Sequence, residues 1–223
     1  MNKNAPGILE FKRALYIPLL LLFLLWFIKF LEIFSGISFS SLGILPRKVH
    51  GLLGIIFAPL IHANFSHLMN NSVPLTLLLI ALFYFYRPIA FRVLILVWLI
   101  TGICVWIGGR KAYHIGASGV IYGIAAFLFF SGLIRRNIQL LSISLAIVFL
   151  YGGMVWGIFP FNSDISWESH LFGGLTGLTL SIVYSDVKVK HEKPKYEDSD
   201  DELLDSFPYW EMDDEEKEFP DKS

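Results

Sequence analysis

Cysteine is almost missing. Cys104 stands alone in 223 residues, so no internal disulfide can staple this chain. No Cys/His spacing suits zinc, and no His-Glu-x-x-His places two ligands and a carboxylate base on one helix face. The spacing of His62 and His67 is wrong for such a site, so no metal and no cofactor is expected. Charge is also scarce, at 17% of residues, and it collects in short clusters and a tail. No Asp occurs within the first five apolar runs, and Asp186 only closes the sixth. That excludes an intramembrane aspartyl protease, which needs two carboxylates sharing a proton. No glycine-rich phosphate loop follows a strand-like run, and no nucleic-acid partner is expected. The hydrolase elbow Gly-x-Ser-x-Gly is unmatched, because position 120 is Val in a chain without strand patterning.

Apolar length is what the chain has in abundance. Hydrophobic residues make up 55% of it, and a spanning helix needs roughly 20 mostly apolar residues. Six such runs occur, at 14–34, 67–86, 89–109, 116–134, 138–158 and 167–185. The first is too long for a signal-peptide core and no small-x-small site follows it, so it is expected to stay in the membrane. The fold class is therefore all-α: a polytopic membrane protein, a bundle of six transmembrane helices. Residues 1–186 form the membrane domain, and residues 187–223 an acidic cytoplasmic tail, disordered and solvated. Phe207, Tyr209 and Trp210 give that tail a candidate docking motif.

Lysine and arginine set the orientation. Lys3, Lys12, Arg13, Arg87, Arg92, Arg135, Arg136, Lys188, Lys190, Lys193 and Lys195 fall on one side of an even-span bundle. That side is expected to be the cytoplasm and to hold both termini. Arg47, Lys48, Arg110 and Lys111 oppose the bias on the other side.

Polar groups at membrane depth are costly without partners, so they are the natural functional candidates. The second run opens with His62, His67, Asn70 and Asn71, the fourth with Ser118, and the sixth with Glu168, Ser169 and His170. All of these lie at outward helix ends, so three distant segments bring polar residues to one depth. Lys29, near the outer end of the first run, is the other member of the set; a lysine there can snorkel to the interface, and nothing places it beside Ser118.

A serine hydroxyl is a weak nucleophile until a neighbouring base takes its proton. Ser118 and His170 are 52 positions apart but can meet if their helices touch. Gly119 and Gly123 form a small-x-x-x-small face beside Ser118. Ser169, Gly173 and Gly177 repeat small residues beside His170. Such faces let membrane helices approach backbone to backbone. Close packing alone explains each pattern taken singly, but their joint occurrence favours chemistry.

At these residues the chain resembles the rhomboid intramembrane serine proteases. A His-x4-His-x3-Asn signature falls on His62, His67 and Asn71. A Gly-x-Ser-Gly motif falls on Gly116, Ser118 and Gly119, with a tyrosine one turn on at Tyr122. A histidine with glycines three and seven positions later falls on His170, Gly173 and Gly177. The resemblance covers roughly residues 14–185. It implies an endopeptidase in which Ser118 is the nucleophile and His170 the general base. His67, Asn71 and the Ser118 amide would hold the oxyanion, Tyr122 would pack on the imidazole, and His62 would be structural. It also implies single-span membrane proteins as substrates within the lipid bilayer, cut near the outer face. The first outer loop departs from the family by offering Arg47 without a preceding Trp. Three other readings compete: a catalytically silent binder, a small transporter, and a Ser–Lys protease using Lys29. The silent relatives lack the Ser or the His, and a transporter would need a charged relay across the bilayer.

Overall fold

The computed structural model describes residues 6–136, 138–150, 156–160 and 165–187. The acidic tail and its aromatic motif lie outside these residues, apart from Val187. Among the described residues there are seven α-helices: α1 (Pro6–Ser35), α2 (Gly54–Phe57), α3 (Phe65–Phe85), α4 (Ala90–Gly108), α5 (Ser118–Ile134), α6 (Ile138–Leu150) and α7 (Trp167–Val183). Short 3-10 turns carry the loop between α1 and α3 and precede α7 at Trp156–Ile158. The one β-type pairing in these residues is an isolated bridge between Ile44 and His114.

Each of the six expected apolar runs falls on one of the longer helices. Ile8–Ser35, Phe65–Phe85 and Ala90–Gly108 are long and apolar enough to cross a membrane by length and composition. The outward faces of the helices are apolar: Leu20, Phe23 and Ile182 are all more than half exposed. Such a surface suits hydrocarbon, since lipid rather than water must cover it.

Several boundaries differ from expectation. Helix α1 is described from Pro6 rather than residue 14, because hydropathy does not register the polar turn ahead of the apolar run. Helix α5 begins at Ser118 rather than 116, because Gly116 has φ +107°, outside the helical region. Helix α6 is described to Leu150, and the next described residues, from Trp156, form a 3-10 turn instead of continuing to 158.

Helices α5 and α7 make the closest pair. A Cβ on Gly173 would run into the carbonyl oxygen of Gly119, and one on Gly177 into that of Gly123. Only glycine permits this separation, which sets the first turns of the two helices side by side. Around them Leu78, Leu79, Leu82, Val93, Ile124, Phe127 and Leu128 fill the core. At the far end of the bundle the Tyr86 hydroxyl pairs with Ser131 Oγ at 2.6 Å, and Arg135 donates to the Tyr184 carbonyl at 2.6 Å. The C-terminal ends of α3, α5 and α7 therefore meet there, and their N-terminal ends meet at the opposite end.

Candidate active site

Helix α3 starts on an Asn64 cap, whose side chain accepts from the His67 amide at 2.8 Å. This ordinary N-cap fixes the first turn, which carries His67, and the second, which carries Asn71. Asn71 is buried and Asn70 exposed. The Asn71 amide donates to the His67 carbonyl at 2.8 Å, leaving its second N–H for another acceptor. The His67 ring lies over Gly116, where a Cβ would stand only 2.6 Å from the imidazole. That contact and the positive φ both require glycine.

Ser118 is the first residue of α5, and its Oγ lies 2.8 Å from His170 Nε2. The other ring nitrogen, Nδ1, lies 2.8 Å from the Gly157 carbonyl oxygen. A carbonyl can only accept, so Nδ1 carries the proton in this arrangement. Nε2 is then a lone pair, and Ser118 donates to it. Tyr122, one turn beyond Ser118, stacks on the same imidazole, with ring centroids 4.1 Å apart and planes 5° from parallel. Gly157 passes close beneath both rings, with room for no side chain. A cavity of about 990 Å³ opens over this group and is lined by His67, Asn71, Ser118, Tyr122 and His170, among others.

His62 lies outside the helices, 2% exposed, and its Nε2 accepts from the Ala117 amide at 3.4 Å. Its ring meets that of His67 edge-on at 5.0 Å. His62 thus braces the residue before Ser118. Burial pushes this imidazole down to about 3, so it is neutral in that role.

Lys29 does not snorkel. Its ammonium is buried and donates to Glu32 at 2.6 Å and to the carbonyls of His62 and Ala63 at 3.0 and 3.1 Å. Those acceptors satisfy the ammonium, and it ties α1 to the approach of α3. Arg47, with φ 59°, donates to the carbonyls of Ile107 and Gly109 and so fastens the loop between α1 and α3 to the end of α4.

Sequence reasoning did not single out the Gly157 carbonyl or His114. The former is a backbone acceptor in a stretch that hydropathy reads as helix. The latter is a lone histidine between apolar runs. The only available signal for His114 was its place in "HIGASG", four residues ahead of Ser118.

The Rhomboid domain model matches residues 49–187, the region that holds His62, His67, Asn71, Ser118, Tyr122, Gly157 and His170. "Uncharacterized protein Rv1337" of Mycobacterium tuberculosis (strain ATCC 25618 / H37Rv) is 36% identical over 176 residues, 73% of this chain and 71% of its own length. "Uncharacterized protein ML1171" of Mycobacterium leprae (strain TN) is 35% identical over 174 residues, 73% of this chain and 68% of its own. "Putative rhomboid protease YdcA" of Bacillus subtilis (strain 168) is 33% identical over 132 residues, 56% of this chain and 63% of its own. With its apolar helices the protein is an integral membrane protein, and the chain belongs to the rhomboid family of intramembrane serine proteases.

Proposed function

We propose that this chain is a serine endopeptidase that cuts single-span membrane proteins near the outer membrane face through a Ser118–His170 dyad. The observation that carries the reading is the tautomer of His170. With its Nδ1 proton committed to the Gly157 carbonyl, Nε2 is the free base 2.8 Å from the Ser118 hydroxyl. In the familiar serine triad a carboxylate orients the imidazole; here a backbone carbonyl and the Tyr122 ring do so.

In the proposed reaction Ser118 Oγ attacks the scissile carbonyl while His170 Nε2 takes its proton. The same proton passes to the leaving amine, and water then releases the acyl group by the reverse use of the base. The amide of Ser118, at the start of α5, has no carbonyl partner within its helix. His67 and Asn71 reach the same cavity from α3. Together these donors suit an oxyanion in a poorly hydrated site. His62, Gly116, Gly119, Gly173 and Gly177 support the site by bracing and close approach.

The site lies at the end of the bundle opposite Arg135 and Tyr184. With Arg87, Arg92, Arg135 and Arg136 on the cytoplasmic side, the site faces outward and both termini lie inside, in a bacterial-type plasma membrane. A substrate helix must unwind to expose its backbone. A single-span protein with small or helix-breaking residues near its outer end is therefore the favoured class. Incubating the protein in vesicles with a panel of such substrates, and mapping the cut by mass spectrometry, tests this. A cut just inside the outer end supports the reading; a cut near the cytoplasmic end overturns its topology or its site.

A further inference from the structure

A second polar cluster lies beside the Ser118–His170 pair, between the loop leading to α5 and the start of α7. Arg110 donates through Nη2 to the Ile165 carbonyl at 2.7 Å and through its amide to Glu168 Oε1 at 3.2 Å. His114 Nε2 lies 3.1 Å from the Arg110 carbonyl, and His114 Nδ1 lies 2.6 Å from Ser166 Oγ. Ser166 Oγ lies 2.6 Å from Ser169 Oγ.

The directions of these bonds follow from chemistry. The Arg110 carbonyl can only accept, so His114 Nε2 carries the proton. The ring is 2% exposed, and burial holds it below the ordinary imidazole range, so it is neutral and Nδ1 is a lone pair. Ser166 must then donate to Nδ1, which frees its oxygen to accept from Ser169. The chain of donors therefore runs one way, from Ser169 through Ser166 to His114.

Ser166 holds the N-cap position of α7, where a serine hydroxyl ordinarily accepts a bond from the first turn. Its side chain makes no such cap bond. The hydroxyl is used on His114 instead, while the Ser166 carbonyl accepts from the His170 amide at 3.3 Å. His114 is itself fixed on its other side, by exchanging both backbone hydrogen bonds with Ile44 at 2.9 and 3.0 Å. One residue thus links the outer loop, the approach to Ser118 and the residue from which α7 begins.

We infer that His114 is a positioning residue for the Ser118–His170 pair, holding Ser166 so that the first turn of α7 presents His170 to Ser118. The inference rests on the reading of that pair as catalytic. It assigns the effective contact to Nδ1 and Ser166, not to the Arg110 carbonyl.

The two ring nitrogens allow a clean test on the purified full chain in detergent, using a serine-directed fluorophosphonate probe. His114→Asn places a carbonyl oxygen near the position of Nδ1 and can still accept from Ser166. His114→Gln places its amide near Nε2 and keeps only the bond to Arg110. Misplacement of a catalytic group by about 1 Å can cost on the order of a hundredfold. His114→Ala and Ser166→Ala should therefore each lower kinact by roughly tenfold to a hundredfold, with KI changed by less than about twofold. The double variant should label no more slowly than the worse single one, since the two changes remove one shared contact. His114→Asn should recover most of the rate, and His114→Gln little of it. Ser166→Ala keeps the test open if His114→Ala does not fold, and thermal unfolding of each variant reports which ones do. Losses that multiply in the double variant, or rescue by Gln as good as by Asn, would overturn the inference. Wild-type labelling at Ser118 with wild-type rates in Ser166→Ala and His114→Gln would overturn it alone. Wild type that does not label at Ser118 would overturn the catalytic reading beneath it as well.

Discussion

The imidazole of His170 lies flat on the ring of Tyr122, with centroids 4.1 Å apart and planes 5° from parallel. The stack comes from two helices that touch through glycine, and it leaves the ring few orientations other than the one that meets Ser118. Aromatic pairs of this kind contribute about 0.5–1.5 kcal/mol. Tyr122→Phe, which keeps the stack, should hold the cleavage rate within about threefold. Tyr122→Ala should lower it by about tenfold or more, as a freed ring loses its alignment. Equal rates in the two variants would remove the orienting role.

Asn71 and Asn70 are neighbours with different surroundings, one buried and one exposed. Loss of one oxyanion donor costs on the order of a hundredfold in turnover. Asn71→Ala should reduce kcat by that order with a small change in KM, and Asn70→Ala by less than about threefold. Steady-state kinetics on a reporter substrate checks this, and small equal effects would withdraw Asn71 from the oxyanion site.

Gly173 and Gly174 offer a paired test of helix contact. A Cβ at Gly173 meets the Gly119 carbonyl, whereas one at Gly174 meets nothing within 4 Å. Overpacking costs about 1–3 kcal/mol, and here it also moves His170 away from Ser118. Gly173→Ala should lower both the melting temperature and the labelling rate, while Gly174→Ala should leave both unchanged or slightly raise stability. Equal behaviour of the two would mean that the α5–α7 contact does not control the site.

His62 gives the stability a pH dependence of known sign. Its folded imidazole ionises at about 3 because of burial, against about 6.5 in an unfolded chain. Between these values the unfolded state binds the extra proton, so stability falls as pH drops through the window and is fully present above it. His62→Gln, which can still accept from the Ala117 amide, should flatten part of this slope. Melting curves from pH 7 to pH 4 in detergent measure it, and parallel slopes for the two proteins would refute the assignment.

Much of this was legible in the sequence, for physical reasons. Apolar length locates helices because the backbone must satisfy itself in lipid. Four-residue spacing of Gly119 and Gly123, and of Gly173 and Gly177, marks a close contact because residues four apart share a face of their helix. What could not be read is what depends on backbone path. The Gly157 carbonyl that meets His170 belongs to a 3-10 turn at Trp156–Ile158, in a stretch whose hydropathy reads as helix. Lys29 reads as a snorkelling lysine, because sequence cannot reveal that the carbonyls of His62 and Ala63 lie within its reach. His114 is a single histidine with no periodic partner, and its link to Ser166 joins residues 52 positions apart.

The central claim is that Ser118 is a nucleophile activated by His170. Alanine also fits a tight helix contact, so Ser118→Ala should fold normally, which thermal unfolding will report. The decisive measurement is site-mapped labelling by a fluorophosphonate, alongside cleavage of a single-span substrate, in wild type, Ser118→Ala and His170→Ala. The account predicts labelling at Ser118 in wild type, none in Ser118→Ala, labelling slowed by orders of magnitude in His170→Ala, and cleavage by wild type only. Cleavage retained by a well-folded Ser118→Ala protein would contradict it.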